Sequence, residues 1–162
     1  MAHDVLVLGA TVAGLTVARR LAHRGYDVVV LDPNREAESA AVGHGVAAVG
    51  HASTIANMAH AYGIEAAREH VRRNTAGIEE IREISPGHEH VTLRDLSLPG
   101  GDETESRRIV ELYRQAGHEA ELRVSPDGVA IHTAAYAIDP TAHAQALRAA
   151  AVAAGANVVH GV

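Results

Sequence analysis

The chain has 162 residues, of which 47% are hydrophobic, and it carries a formal net charge of −6. A chain of this length buries roughly 70% of the surface that its unfolded form exposes, so we expect one globular domain. Because it has no Cys, disulfides, thiolate nucleophiles and iron–sulfur clusters are excluded. The negative charge and an aromatic content of 2% also argue against nucleic acid and anionic membranes as partners.

All cationic residues are Arg, which is typical of a high-GC bacterial coding bias. The amino terminus leads directly into an apolar run, without the charged segment and cleavage site of a signal peptide. No apolar stretch reaches the length that a membrane-spanning helix needs. We therefore expect a bacterial, cytoplasmic protein with no membrane partner.

The opening of the chain predicts a strand, a glycine turn, a helix and a second strand. Val5–Leu8 and Asp27–Leu31 are apolar runs typical of buried parallel strands, and Asp32 closes the second one. Gly9 and Gly14 bracket the turn between the first strand and the helix. In the helix, apolar residues recur three or four positions apart, at Val12, Leu15, Ala18 and Ala22. This order is that of a dinucleotide-binding βαβ unit.

Each part of this unit has a physical role. Gly9 permits the sharp turn, and the helix that follows points its first N–H groups at a pyrophosphate. Gly14 has no Cβ, so the helix and the strand can pack closely. At the end of the second strand, the Asp32 carboxylate can accept hydrogen bonds from the hydroxyls of an adenosine ribose.

The glycine pattern has one departure, because Thr11 stands where the G-x-G-x-x-G fingerprint has its middle glycine. A β-branched side chain at this point crowds the approach of the pyrophosphate, which predicts weaker binding. Alternatively, the Thr11 hydroxyl donates to a phosphate oxygen. A third interpretation is a scaffold of this type that binds nothing.

The middle of the chain predicts a loop and then helices. Pro33–Gly50 is rich in Gly and Ala, as in backbone that approaches a ligand or in a flexible connector. His51–Tyr62 predicts a short helix. Ile64–Ile84 predicts a long one, whose apolar stripe consists of Ile64, Ala67, Val71, Ile78 and Ile81.

The remaining segments predict strands and two more helices. A strand over His90–Leu98 precedes a helix over Glu103–Ala116, where Asp102 and Glu105 resemble a capping box. After it come a hairpin, a helix that Asp139 caps and Pro140 opens, and a final strand. Their predicted ranges are Glu121–Val124 with Val129–Thr133, residues 140–154, and Asn157–His160.

The twelve His residues do not form a metal-binding pattern such as H-E-x-x-H, and no Cys assists them. We therefore predict no metal site. No G-x-S-x-G motif surrounds any Ser, so a hydrolase of that type is not supported either.

Together these segments resemble the amino-terminal part of the D-amino-acid oxidase (DAO) family of FAD-dependent oxidoreductases. The family includes glycine oxidase-like and sarcosine oxidase-like enzymes, and its opening pattern is DVVVIGAGIAGLSTAYELARRGHRVTVLE. Similar to it here is DVLVLGATVAGLTVARRLAHRGYDVVVLD. Two later stretches also resemble the family, GHGVAAVGHASTIANMAHAYGIEAAREHVRRNTAGIEEI and AYAIDPTAHAQALRAAAVAAGANVVHG.

The resemblance implies an α/β fold with a Rossmann-type FAD-binding domain, whose parallel strands have the order 3-2-1. It implies a single partial domain over residues 1–162. Within it, residues 1–84 hold the βαβ unit and the following helices, residues 85–137 are an inserted segment of a partial substrate domain, and residues 138–162 return to the FAD domain. The implied reaction is hydride transfer from the C–N bond of an amino acid or amine to flavin.

By position, the resemblance also implies a set of cofactor-binding residues. The pyrophosphate turn, the ribose-binding end of the second strand and a loop near the phosphates and flavin contribute Gly9, Ala10, Thr11, Val12, Ala13, Gly14, Asp32, Pro33, Gly43, His44 and Gly45. No catalytic residue is assigned, because the residues that position the substrate come largely from later parts of the family's sequence.

Members of the family are longer than this chain, so we expect an amino-terminal portion of such an enzyme. One alternative is a degenerate nucleotide-binding module without catalysis of its own. Another is a subunit whose other half is supplied by a partner chain. We expect the chain alone to self-associate or to hold little FAD, because the first strand would leave an apolar, unpaired edge.

Overall fold

The structure is a computed structural model that describes residues 2–34, 45–96, 103–126 and 128–161. The helices and strands of these residues are, in chain order, β1 (Val5–Leu8), α1 (Val12–Ala22), β2 (Val28–Asp32), β3 (Val46–Ala47), α2 (Ala52–Tyr62), α3 (Ile64–Ile84), β4 (Glu89–Leu96), α4 (Glu103–Gln115), β5 (Ala120–Ser125), β6 (Gly128–Ala137), α5 (Pro140–Ala153) and β7 (Asn157–His160). None of the described helices is long and apolar enough to cross a membrane.

The chain divides into two compact units. The first unit comprises Met1–Gly45, Arg82–His88 and Ile138–Val162, and the second comprises Val46–Ile81 and Glu89–Ala137.

The first unit contains a parallel sheet in the order β1-β2-β7. Val5 is paired with Val28, and β7 is in register with the end of β2, where His160 lies opposite Asp32. The predicted strand order 3-2-1 is therefore confirmed. The bounds of β1 and β7 agree with the prediction, whereas β2 begins and ends one residue later than predicted.

The core of the first unit is built from small and medium aliphatic side chains. α1 and α5 contact each other and cover one face of the sheet, since Val5, Val7, Val28, Val30 and Val158 all point toward them. From the helices come Leu15, Ala18 and Ala22 of α1 and Ala144, Leu147 and Ala151 of α5. A chain without Phe or Trp has to fill its core in this way, with close helix approach in place of large rings.

The other face of β1 is apolar and accessible to solvent. Leu6 is 58% exposed and Leu8 is 77% exposed, although the neighbouring strand β2 is almost entirely buried. Among the described strands, β1 pairs only with β2, so one edge of β1 has no strand partner in this part of the chain. The predicted apolar edge is thus present on the described residues.

The second unit is organised around β6. This strand pairs with β4 along one edge, and with β5 and β3 along the other, always antiparallel. The predicted hairpin is confirmed, but β6 continues well past the predicted end at Thr133. The prediction of a loop-like segment over Pro33–Gly50 is wrong at Val46–Ala47, because these two residues pair with the extended end of β6.

A second core joins helices α2, α3 and α4 to this antiparallel sheet. The predicted stripe of α3 is confirmed, with Ala67, Val71 and Ile78 buried and Ile64 and Ile81 packed beside them. Tyr113 of α4 is the largest fully buried side chain, and its hydroxyl donates to the Gly50 carbonyl at 3.2 Å. A core so poor in aromatic residues places its most deeply buried ring where the polar tip is satisfied. Asp102, predicted to take part in a capping box, lies outside the described residues.

The last helix, α5, begins as predicted. Asp139 is its N-cap, and its carboxylate accepts hydrogen bonds from the backbone N–H groups of Thr141 and Ala142 at 2.8 and 3.1 Å. Pro140 follows at a position where a missing N–H costs nothing. This cap sets the start of the helix that packs on α1.

A buried Ser–His contact joins the end of α3 to the start of α5. The Ser85 hydroxyl lies 2.8 Å from Nδ1 of His143, and both side chains are buried. Burial lowers the pKa of the His143 imidazole below its ordinary value of 6.5, because the charged form would lose its hydration. The folded chain therefore holds His143 neutral over a range of pH in which the unfolded chain protonates it.

This contact predicts how stability depends on pH. Below about pH 6.5 the unfolded chain binds more protons at His143 than the folded chain, so the stabilisation is complete above that pH and is lost as the pH falls through the folded-state pKa. His143→Asn keeps a polar group beside Ser85 but removes the titration. Urea unfolding from about pH 7.5 to 5.5 should therefore show a smaller loss of free energy in this variant than in the wild type. The exposed His23→Asn should follow the wild type, and equal slopes for all three proteins would contradict the assignment.

Candidate functional site

The turn between β1 and α1 is tied to the neighbouring strand by its backbone. Gly9 has a φ of +91°, in the left-handed region, and its N–H donates to the carbonyl of Leu31 at 2.7 Å. This bond places the turn at the carboxyl end of β2. In parallel sheets of α/β proteins, ligands bind at this edge.

Gly14 lies where the helix passes closest to the turn. A Cβ built on Gly14 would stand 2.2 Å from the carbonyl oxygen of Gly9 and 3.3 Å from Cγ1 of Val7. The first distance is far inside van der Waals contact, and the obstacle is backbone. No residue with a side chain can occupy this position without moving α1 away from β1.

Thr11, which replaces the middle glycine of the fingerprint, is the N-cap of α1. Its backbone is extended, with φ −70° and ψ 167°, so the conformation does not require glycine. The Thr11 hydroxyl oxygen accepts a hydrogen bond from the Gly14 N–H at 3.1 Å, as N-cap residues do. Because that oxygen acts as an acceptor, its hydrogen remains available for donation to another group.

The other residues of the predicted turn differ in exposure. Ala10 is fully buried against the core of the first unit, whereas Val12 is 37% exposed and Ala13 is exposed. The carbonyl of Val12 accepts from the Thr16 hydroxyl at 2.7 Å, within the first turn of the helix. Val12 and Ala13 therefore present the outer surface of the helix start, and Ala10 packs inward.

Asp32 stands at the carboxyl end of β2 and is fully buried. One carboxylate oxygen accepts from the Asn34 N–H at 3.3 Å, and the other lies 3.6 Å from Nδ1 of His160. A pocket of about 470 Å³ near the ends of β1 and β2 is lined by Leu8, Gly9, Leu31 and Pro33. The predicted turn and the predicted acid thus both lie at the carboxyl edge of the sheet.

The sequence prediction omitted His160, the last residue of β7. It lies opposite Asp32 in the parallel register, and its side chain is 19% exposed. His160 was omitted because it belongs to no recognised sequence motif. Matching the ends of the two predicted strands would have placed this imidazole beside the carboxylate.

The predicted loop that follows β2 is described only at its end. Gly45 has a φ of +70°, its carbonyl accepts from the Ile138 N–H at 2.8 Å, and an added Cβ would stand 2.9 Å from the Ile138 carbonyl oxygen. Gly45 is therefore packed against the residues that lead into α5. Gly43 and His44 lie outside the described residues.

Among the residues that the structure describes, no three His, Asp or Glu side chains come together as a group able to hold a metal ion.

Residues 4–162 match the sequence profile of the DAO family, described as FAD dependent oxidoreductase. The chain belongs to this family. FAD is therefore the cofactor of this family, and the residues of the turn and its neighbours have to fit FAD. A comparison with curated proteins gives no match.

Solved structures of DAO-type enzymes share the fold. Glycine oxidase from Geobacillus kaustophilus is 17% identical with a TM-score of 0.61, over 98% of this chain and 46% of that one. Iminodiacetate oxidase from Chelativorans sp. BNC1 is 22% identical with a TM-score of 0.59, over 97% and 46%. L-α-glycerophosphate oxidase from Mycoplasma pneumoniae, solved with FAD bound, is 15% identical with a TM-score of 0.63, over 99% and 45%. This DAO-family chain spans less than half the length of each of these relatives.

The residues at the carboxyl edge of the sheet suit a dinucleotide such as FAD. The start of α1 offers backbone N–H groups and the positive end of the helix dipole to a pyrophosphate. Asp32 offers carboxylate oxygens to ribose hydroxyls, and the adjoining pocket is bounded by Gly9, which has no side chain. Nε2 of His160 is a buried polar atom without a hydrogen-bond partner among the described residues.

The contact at Gly14 predicts a large and position-specific effect of a single methyl group. Gly14→Ala should lower the free energy of unfolding by at least about 1–3 kcal/mol, because α1 must shift away from the Gly9 carbonyl. Gly77→Ala is the matched control, since Gly77 also lies within a helix and its Cβ would meet nothing within 4 Å. That control should be neutral or stabilising by up to about 1 kcal/mol. Similar destabilisation of both variants in urea unfolding would contradict the close approach.

Proposed function

We propose that this chain is the FAD-binding portion of an oxidoreductase that removes hydride from the C–N bond of an amino acid or amine. The observation that carries the proposal is the close-packed turn at Gly9 and Gly14, with Asp32 at the end of the neighbouring strand. Membership of the DAO family supports the cofactor. The names of two relatives of the same fold, glycine oxidase and iminodiacetate oxidase, support the substrate class.

In this proposal the chain binds and orients the cofactor. The pyrophosphate is held by the backbone of the turn, from Gly9 through Ala10, Thr11, Val12 and Ala13 to Gly14, and the ribose by Asp32 with Pro33 beside it. Gly43, His44 and Gly45 are proposed to approach the phosphates and flavin. The chemistry that FAD supplies when bound is the acceptance of hydride. The turn contributes its helix dipole and backbone N–H groups to the negative phosphates.

The second unit, with its antiparallel sheet, is proposed to belong to the substrate domain. The same proposal holds that residues 85–137 are inserted into the FAD-binding domain and that residues 138–162 return to it. It is supported by the parallel strand β7, which rejoins β2 after the antiparallel strands. A bacterial, cytoplasmic setting is likewise proposed, and the Arg-only composition supports the bacterial origin.

A flavin titration of the purified chain tests the proposal. The wild type should give a saturable change in flavin fluorescence when FAD is added, although the chain alone is expected to hold little FAD through purification. Asp32→Ala should weaken binding by roughly 1–3 kcal/mol, because ribose hydroxyls lose their acceptor. Asp27→Ala, an exposed Asp next to the opposite end of the same strand, serves as the control. Equal affinity of the wild type and Asp32→Ala would remove Asp32 from the site.

Thr11 gives a second test, in which two roles predict opposite results. If its side chain crowds the pyrophosphate, Thr11→Gly should bind FAD more tightly than the wild type, and the loss of the cap should cost only a few tenths of a kcal/mol. Thr11→Ser retains the capping hydroxyl and should fall between the two. We expect the tighter binding of the glycine variant, measured by the same titration. Weaker binding by Thr11→Gly with unchanged binding by Thr11→Ser would instead make the hydroxyl a phosphate ligand.

The exposed face of β1 predicts self-association of the isolated chain. Leu6 and Leu8 form an apolar surface on a strand with one edge unpaired among the described strands, and such edges recruit other strands. The double variant Leu6→Lys with Leu8→Lys should therefore shift the chain toward monomer in size-exclusion chromatography with light scattering. Tyr62→Lys removes an equally exposed apolar side chain from α2 and should leave the association unchanged. A monomeric wild type would contradict this prediction, and a stable monomer that also keeps stoichiometric FAD would contradict the expected need for a covering partner.

A further inference from the structure

His160 and Asp32 form a side-by-side pair at the carboxyl edge of the parallel sheet. They are directly opposite in the register of β2 and β7, so their side chains project to the same side of the sheet. The Gly161 N–H donates to the Asp32 carbonyl at 2.8 Å, which holds the two strand ends together at this point. The imidazole is therefore placed by backbone hydrogen bonds.

The surroundings of Nδ1 decide which nitrogen of His160 carries the hydrogen. Nδ1 lies 3.3 Å from the carbonyl oxygen of Asn34 and 3.6 Å from a carboxylate oxygen of Asp32. Both neighbours are acceptors, so Nδ1 is the donor of the ring. In the neutral imidazole, Nε2 then carries the lone pair and is an acceptor.

That acceptor is buried and has no hydrogen-bond partner among the residues that the structure describes. A buried polar atom left without a partner is unfavourable, and such atoms in proteins are usually satisfied by water or by a ligand. Asp32, the neighbour of His160 in the register, offers carboxylate oxygens at the same edge of the sheet as the turn at Gly9. An adenosine group brings donors of the required kind, the ribose hydroxyls and the exocyclic amine of adenine.

We propose that His160 is a ligand of the adenosine part of FAD and accepts one of these donors at Nε2. The inference rests on the proposed FAD-binding function and adds to it a residue that no motif in the sequence marks. Asp32 and His160 then act as adjacent acceptors on two neighbouring strands. Asn34 orients the ring through its carbonyl group, so it is a positioning residue for His160.

Two substitutions distinguish the role of Nδ1, the inner nitrogen that faces Asn34, from that of Nε2, the outer nitrogen. The amide of Asn reaches about as far as Nδ1, so His160→Asn retains the contact with the Asn34 carbonyl and removes the outer acceptor. The amide of Gln reaches about as far as Nε2, so His160→Gln keeps an acceptor there. His23→Asn, an exposed substitution in the same unit, is the control.

Calorimetric titration with ADP and with FAD provides the measurement. His160→Asn should raise the Kd for both ligands on the order of tenfold, the effect of one lost ligand hydrogen bond, whereas His160→Gln and His23→Asn should stay within about threefold of the wild type. Inosine 5′-diphosphate lacks the exocyclic amine, and 2′-deoxy-ADP lacks one ribose hydroxyl. If His160→Asn no longer raises the Kd for one of these analogues, the group that this analogue lacks is the donor to Nε2.

A second readout is made on the wild-type protein, and a variant is needed only to identify the resonance. The Nε2 resonance of His160 in ¹⁵N spectra, identified by its loss in a variant, should shift on saturation with ADP. An unchanged resonance, or a His160→Asn variant that binds ADP like the wild type, would overturn the proposal and leave a buried water as the partner of Nε2.

These results are distinguishable from failure of the proposed function. A wild type that binds ADP but not FAD, with the expected response of His160, would support the adenosine site and contradict the flavoprotein. A wild type that binds neither ligand would overturn both.

Discussion

The contact between Gly14 and the carbonyl of Gly9 is the constraint on which the first unit depends. Helix α1 crosses the end of β1 so closely that a Cβ would stand 2.2 Å from a backbone oxygen. This approach brings Leu15, Ala18 and Ala22 onto the sheet and points the start of the helix past its carboxyl edge. The geometry that closes the core is thus the same geometry that points the first N–H groups of α1 past the carboxyl edge of the sheet.

Thr11 shows how the turn accommodates a departure from the glycine pattern. Its extended backbone carries a side chain without strain, and its hydroxyl caps α1 through the Gly14 N–H. The cap stabilises the helix start, typically by about 1 kcal/mol. It also uses a backbone donor that lies in the turn, the Gly14 N–H, which a glycine at position 11 would leave without this acceptor.

The apolar outer face of β1 and the length of the relatives point in the same direction. One face of the parallel sheet is covered by α1 and α5, whereas Leu6 and Leu8 on the other face are exposed. The solved relatives share the fold over nearly all of this chain, which spans less than half of each of them. Parallel sheets are normally covered on both faces, so the exposed Leu6 and Leu8 are unusual for a strand of this kind.

Local signals in the sequence determined most of the element positions. The apolar runs of β1 and β7, the stripe of α3 and the Asp139 cap of α5 involve residues a few positions apart, and each was predictable for that reason. Of the candidate site, the turn and Asp32 follow from a known spacing. The pairing of Val46–Ala47 with β6, the Thr11 cap on Gly14 and the contact of His160 with Asp32 were decided by the tertiary structure. The first and last of these join residues far apart in sequence, whose strand register is set by packing and backbone hydrogen bonds, and no local pattern encodes that register.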